Sequence, residues 1–312
     1  MKFFQLIPPG THFDFIGKFK HFVIFSIITI GIVFAGLYKK GLNFGVDFTG
    51  GTVVQIKFNE PIETSAVRTY VDSLGEPDAS VVHLGEDKRE FLITVRSVTK
   101  TATSNTLAER LVEKAGANKI TVQKVESVGP KVGEDLKWGA ILSLIYSIIG
   151  ITIYIWLRFD LKFAPGATVA MVHDLILATG FYVFSGVEFT ITAVAALLTI
   201  AGYSVNDTIV IYDRVRDMLK DGAGSTPLST TINRAINLTL SRTLLTSFIT
   251  LISVLPVAIF CDGELRNFAL AMAFGIFVGS YSTIYIASPM TIYIARFLEG
   301  RDPKKSSRTQ TA

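Results

Sequence analysis

Two kinds of hydrophobic pattern divide the chain. Long runs almost free of charge occupy residues 22–38, 138–157, 164–186, 189–212, 243–261 and 268–295. A helix needs roughly 20 apolar residues to cross a hydrocarbon core about 30 Å thick, so each run predicts a membrane-spanning helix. The first is short for a span, and the last is long enough to tilt or bend. Between the first two runs, residues 39–137 switch from period 2 to period 3.6 and back, which marks a segment that folds in water. Residues 52–58 alternate as a strand, and residues 64–74 place Ala66, Val67, Tyr70, Val71 and Leu74 on one helical face. Residues 81–84 form a short strand, followed by a turn at Gly85-Glu86-Asp87-Lys88. Residues 91–98 are a third strand, 103–115 a second helix ended by Gly116, and 120–128 a fourth strand stopped by Gly129-Pro130.

The order β-α-β-β-α-β is the split, ferredoxin-like arrangement. The predicted fold class is therefore an α-helical polytopic membrane protein with six transmembrane helices and one small α+β domain between the first two. The expected division is an N-terminal segment 1–21, a first helix 22–38, an extracytoplasmic domain 39–137, a five-helix remainder 138–295 and a basic tail 296–312.

Composition agrees with this division. Of 312 residues, 49% are hydrophobic and 18% charged, and the mean hydropathy is +0.45. That is too apolar for an ordinary water-soluble protein. The net charge of +4 invites a nucleic-acid role, but the basic residues flank the apolar runs instead of forming one soluble face interleaved with aromatics. Lys2, Lys18 and Lys20 precede the first run, where no small-residue cleavage site follows, so an uncleaved signal anchor is expected. Arg158, Lys162, Arg214, Arg216, Lys220, Arg234, Arg242, Arg296, Arg301, Lys304, Lys305 and Arg308 all fall on the side of that N-terminus, against Arg266 alone in the short loops opposite. The positive-inside rule then puts both termini in the cytoplasm. With Cys261 as the single cysteine and four scattered histidines, no disulfide framework, metal site or cofactor is expected.

Candidate chemistry lies inside the apolar runs. A charge there costs several kcal/mol, so it faces protein or a water-filled cavity. Asp174 and Asp207 are the two carboxylates within the spans. Asp207 sits in Tyr203-Ser204-Val205-Asn206-Asp207-Thr208, a polar patch toward the cytoplasmic half of the fourth span. Arg242 opens the fifth span from the same side. Residues 228–240 are amphipathic and should run into that span as one helix, capped near Ser225-Thr226-Pro227, bringing the guanidinium to the depth of Asp207. A carboxylate that alternates between an arginine and water is equipped to load and release a proton, and one charge moved through 100 mV yields about 2.3 kcal/mol. The competing account is a permanent Asp-Arg bridge that packs two helices. Asp174 adjoins His173, but neighbours on a helix point in different directions, so no dyad is expected and Asp174 is read as a supporting polar group. Asn206 is either a helix-to-helix contact or a group that steers Asp207. Ala271, Gly275 and Gly279 form a ridge for close helix approach, within this chain or against a partner. Pro256 and Pro289 mark places where a span bends. Nothing in residues 39–137 has a catalytic pattern.

Two motifs coincide with this architecture: Gly45-Val46-Asp47-Phe48-Thr49-Gly50-Gly51 beyond the first span, and Gly202-Tyr203-Ser204-Val205-Asn206-Asp207-Thr208 followed by Asp213-Arg214-Val215-Arg216. Together with Ser241-Arg242-Thr243-Leu244-Leu245-Thr246-Ser247, they closely resemble the SecF family over essentially the whole chain. That family supplies the smaller half of the SecDF protein-export complex and is related to resistance-nodulation-division transporters. The resemblance implies pairing with SecD, work beside the SecYEG channel after the ATPase SecA, YajC and YidC as further partners, and residence in the bacterial inner membrane among lipids. It also implies use of the proton-motive force to help complete polypeptide export, with Asp207 and Arg242 at the positions of the family's proton-transport pair. No enzymatic activity and no nucleic-acid partner are implied. A passive scaffold of the translocon remains the alternative. A small-molecule exporter would be expected to carry two six-span halves in one chain, and an intramembrane protease would need a motif that Asp174 and Asp207 lack.

Overall fold

The structure, a computed structural model, describes residues 11–85, 87–96, 104–116, 119–221 and 226–300. Several sequence expectations touch residues outside these: Lys2, Glu86, Val98, Thr103, Ser225, and Arg301, Lys304, Lys305 and Arg308 of the tail. Among the described residues, six helices are long and apolar enough to cross a membrane. They are α1 (Phe15–Lys40), α5 (Pro130–Arg158), α6 (Ala164–Ser185), α7 (Ile191–Lys220), α8 (Leu228–Phe260), and a composite of α9 (Gly263–Ser282), a π-helical turn (Thr283–Ala287) and α10 (Ser288–Gly300). All but α6 begin or end beyond the apolar runs, because polar flanking residues continue the helix once backbone bonding is established. Residues 228–240 do run into the fifth span as one helix. Its N-cap is Pro227, with no side-chain cap hydrogen bond.

Three spans form the centre and three the periphery. In their most apolar windows α6 and α7 are each 56% buried and the composite helix 61%, against 17%, 6% and 17% for α1, α5 and α8. The ridge Ala271-Gly275-Gly279 accounts for part of the close packing at the centre. It lies against α7 in this chain, where a methyl group on Gly275 would run into Ile200 and one on Gly279 would come to 3.2 Å from the Ser204 Cβ. Pro256 sits within a continuous α8. The break falls instead in the sixth span. Pro289 has no N–H for the preceding turn, and the π turn just before it widens the ladder at that point.

The small domain is the predicted β-α-β-β-α-β unit: β1 (Gly51–Phe58), α3 (Thr64–Asp72), β2 (Ser80–Leu84), β3 (Glu90–Val95), α4 (Ser104–Ala115) and β4 (Ile120–Val128). The sheet order is β2-β3-β1-β4 with every neighbouring pair antiparallel. One face, carrying Val54, Ile56, Phe91 and Ile93, packs on Val67 and Val71 of α3 and Leu107 and Leu111 of α4. The alternate residues, among them Val53, Gln55, Leu92 and Lys124, face the helix bundle across a cavity of about 1030 Å³. Two main hydrophobic cores result among the described residues, one in the sheet domain and one in the bundle, with two small clusters around Val33 and Ala170 between bundle helices.

The glycine-rich motif is the joint between them. A short helix, α2 (Val46–Thr49), precedes Gly50 and Gly51, whose φ values of +72° and +144° suit glycine. A side chain on Gly51 would strike the Val95 carbonyl, and Gly133 of α5 packs directly on the Gly50 nitrogen and the Phe48 carbonyl. The segment before the motif pairs with the α6–α7 loop through Gly45 N–H to the Phe189 carbonyl at 2.9 Å and Phe189 N–H to the Asn43 carbonyl at 2.7 Å. Phe44, Phe48 and Phe189 pack in one cluster, with Phe44 edge-on to the other two rings. Asp47 Oδ2 accepts from the Ile191 N–H at 2.9 Å, so the motif's carboxylate caps the first turn of α7.

Candidate functional site

The polar patch of α7 turns inward. Ser204, Asp207 and Thr208 are buried, Asp207 to 3% exposure, while Asn206 points outward and is exposed. A helical rotation of about 100° per residue carries Asn206 outward and turns Asp207, the next residue, inward. Asn206 makes no hydrogen bond among the described residues. Asp207 faces α8, where the Arg242 charge and the Thr246 hydroxyl interact with its carboxylate. Arg242 itself is exposed, and no ion pair within 4.0 Å joins it to Asp207. Thr246 Oγ1 also lies 3.0 Å from the Arg242 carbonyl and 2.9 Å from that of Thr243. The hydroxyl is thus bonded within its own helix while lying in electrostatic reach of the carboxylate. A buried carboxylate with a cation near but not bonded is a site where a proton can be exchanged.

Hydroxyls continue from this point across the bundle. Tyr203 OH donates to Ser247 Oγ at 3.2 Å, and Ser247 meets Ser280 Oγ at 2.8 Å, linking α7, α8 and α9. Thr208 Oγ1 meets Thr283 Oγ1 of the π turn at 3.2 Å. Toward the far end of α7 from the sheet domain, Tyr212 OH is 2.8 Å from Thr291 Oγ1 of α10. Beyond it, Asp213 of the second motif accepts from Arg216 at 2.6 Å and Arg158 at 3.3 Å, and both cations lie over the Phe159 ring. These contacts tie α5 to α7 at that end of the bundle.

Asp174 corrects the sequence expectation about its neighbour. His173 Nδ1 and Asp174 Oδ1 are 2.8 Å apart, so the two do pair. Helical neighbours diverge at Cβ, but both side chains are long enough to swing back into the same gap between α1, α7 and α9. Asp174 is fully buried, and its Oδ2 accepts from Ser204 of α7 and, at 2.6 Å, from Ser282 of α9. His173 Nε2 faces Tyr281 OH at 2.8 Å and Ser26 Oγ at 3.1 Å. Local pattern did not reveal this cluster, because it is assembled from four helices, the pair on α6 and its partners on α1, α7 and α9. The sequence signal was polarity itself: a histidine, an aspartate, three serines and a tyrosine within the apolar runs.

At the sheet-domain face, Arg96 donates to Asn43 Oδ1 at 2.6 Å and lies 3.8 Å from Glu188, while Asp262 Oδ2 accepts from the Gly85 N–H at 2.9 Å. Burial raises the Glu188 carboxyl above the ordinary carboxylate value, with Arg96 opposing the shift and Glu264 and Asp47 adding to it. No cluster of potential metal ligands occurs among the described residues.

Two family models match the chain. One, described as "Protein export membrane protein SecD/SecF, C-terminal", spans residues 107–296, and the other, "SecD/SecF GG Motif", spans residues 35–62. The chain is 40% identical to the protein translocase subunit SecF of Calditerrivibrio nitroreducens, with 96% of this chain and 99% of that one aligned. It is 41% identical to SecF of Magnetococcus marinus over 92% of this chain and 94% of that one. A relative from Brucella abortus, named protein translocase subunit SecDF, is 37% identical; 92% of this chain covers 38% of it. Among solved structures, the translocon-associated membrane protein SecDF from Thermus thermophilus superimposes with a TM-score of 0.79 at 33% identity, covering 94% of this chain and 39% of that one. This chain therefore spans well under half of the solved SecDF chain, though nearly all of the SecF relatives.

Proposed function

The chain belongs to the SecF family of protein translocase subunits and is a multi-pass protein-export membrane protein; from that premise we propose that it converts the proton-motive force into work on exported polypeptides, with Asp207 as the proton-carrying group. The observation that carries this is the placement of Asp207: buried in a membrane helix, with Arg242 in electrostatic reach but not ion-paired to it. Protonation removes the attraction to Arg242, and deprotonation restores it. An equilibrium between two helix arrangements can be biased in this way by a few kcal/mol, the scale that one charge falling through the membrane potential supplies. The relatives bear names of translocase subunits, in keeping with transport and not with catalysis.

The partner for this cycle is SecD. Relatives that carry both names in one chain support it, as do the apolar outer faces of α1, α5 and α8, which this chain leaves largely uncovered. SecYEG, SecA, YajC and YidC are the remaining expected partners, acting in the bacterial inner membrane with both termini in the cytoplasm. Asn206, exposed beside Asp207, then faces that partner or lipid. The sheet domain is the extracytoplasmic part and, through Asp47, is fastened to the start of the helix that carries Asp207.

The test is proton-gradient-dependent export in membrane vesicles containing SecD and either the unaltered chain or Asp207→Asn, with assembly of the complex measured in parallel. Loss of gradient stimulation in an assembled complex is the expected result. Stimulation that persists unchanged would leave Asp207 a structural group and favour the passive scaffold.

A further inference from the structure

Asp174 is as deeply buried as any residue in the bundle, yet the cycle above makes no use of it. We propose that the His173–Asp174 pair is a second proton-holding site and that Asp174 acts as a positioning residue for Asp207, tightening α7 against α9 when ionised and loosening it when protonated. This rests on Asp207 being the proton carrier.

The geometry supplies both an entrance and an output. On the entrance side, Ser26 of α1, Tyr281 of α9 and His173 Nε2 form a triangle with edges of 2.7, 2.8 and 3.1 Å. Tyr281 is partly exposed, whereas His173 and Asp174 are not. On the output side, Ser204 of α7 and Ser282 of α9 both donate to the same oxygen, Asp174 Oδ2. One carboxylate oxygen therefore ties two helices together. Ser204 lies three residues, close to one helical turn, before Asp207. Ser282 is the last residue before the π turn, whose Thr283 hydroxyl reaches back to the Ser204 carbonyl at 3.3 Å.

The proton balance closes without an external co-reactant. In the unloaded state His173 is neutral, its Nδ1–H donates to Asp174 Oδ1, and its Nε2 accepts from the hydroxyl triangle. A proton entering on the Tyr281 side binds Nε2 and makes an imidazolium. The Nδ1 proton then passes to Oδ1, leaving a neutral histidine of the other tautomer and a neutral carboxylic acid. The pair has gained one proton, and its charge has gone from −1 to 0. A neutral acid is a weaker acceptor than a carboxylate, so the hold of Ser204 and Ser282 slackens together.

Groups that could confuse this titration are few. Among the described residues the hydrogen-bond and ion-pair partners of the pair are Ser26 of α1, Ser204 of α7, and Tyr281 and Ser282 of α9. None comes from α5, the π turn or α10, which also pack on α6. A purely packing role explains the arrangement less well, because apolar residues fill such a gap without the desolvation cost of a carboxylate. The adjoining π turn, in addition, gives α9 a local ladder that can shift by one residue, a form common at functional sites.

The experiment uses the complex with SecD reconstituted in liposomes. Infrared difference spectra between acid and alkaline states should contain a protonated-carboxyl stretch that disappears in Asp174→Asn and survives in Asp207→Asn. In the same liposomes, Ser282→Ala, which removes one donor and leaves the pair intact, should move the pH midpoint of gradient-stimulated export to higher pH. A carboxylate stripped of a donor keeps its proton more readily. Spectra in which Asp174→Asn removes no band, or a Ser282→Ala midpoint equal to that of the unaltered chain, overturn the proposal. Failure of the reading on which it rests shows separately, as gradient stimulation that persists in Asp207→Asn.

Discussion

At the scale of single residues, identical amino acids do different work according to what surrounds them. Asp47, Asp174 and Asp207 cap a helix, join two helices to a histidine, and face an unbonded arginine, respectively. Glycines divide in the same way. Gly51→Ala should cost the sheet domain about 1–3 kcal/mol, because the residue sits at positive φ with the Val95 carbonyl where a methyl would go. Gly139→Ala, with open space around it in α5, should leave stability unchanged or slightly improved, since alanine favours the helix. Thermal unfolding of the purified full chain in detergent distinguishes the pair. In the core of the sheet domain, Ile93→Ala removes a fully buried side chain and should cost about 2–5 kcal/mol by the same measurement.

At the scale of elements, the central question is how closely α7 and α9 can lie. Gly275 and Gly279 set that distance. Gly275→Leu places a large side chain against Ile200 and should force the helices apart, lowering the unfolding temperature and reducing gradient-stimulated export several-fold. Crosslinking yields between introduced cysteines on α7 and α9 would report the separation directly. An unchanged yield together with unchanged export would show that the contact tolerates bulk. The start of α7 is a second control point. Asp47→Ala leaves the Ile191 N–H without its acceptor and should cost about 0.5–2 kcal/mol, seen as faster hydrogen exchange over the first turn of α7. Ferredoxin-like order, helix spans and the long α8 were all legible from periodicity, because they depend on neighbours within a few residues. The π turn was legible only as a tendency to bend at Pro289.

At the scale of the whole molecule, two cores meet across a polar interface fastened by Asp47, Asn43, Arg96, Glu188 and Asp262. Glu188 makes that interface pH-dependent in a definite direction. Its folded-state pKa lies above the ordinary carboxylate value because burial outweighs the pull of Arg96 at 3.8 Å. The folded protein then binds this proton more tightly than the unfolded chain does. Its contribution to stability is therefore greatest below the ordinary value and declines as pH rises from there through the raised value. Glu188→Gln should remove that decline and raise the unfolding temperature at neutral pH. Unfolding scans at a series of pH values check this, and a variant as pH-dependent as the unaltered chain in that window would assign the dependence elsewhere.

Sequence alone determined what depends on solvent and on local period: which runs prefer hydrocarbon, which segment folds in water, and that Asp174 and Asp207 had to face protein or a water-filled cavity, because lipid does not solvate a charge. It also contained the motif resemblance that led to the SecF family. Only the tertiary structure decided which groups these carboxylates meet. That Asp207 has Arg242 near but unbonded, that His173 folds back onto Asp174, and that Asp47 caps α7 from 144 residues away all follow from the packing of distant helices. Such proximity arises when small residues such as Gly133, Gly275 and Gly279 let backbones approach, and no local pattern of hydrophobicity specifies which backbone will be there.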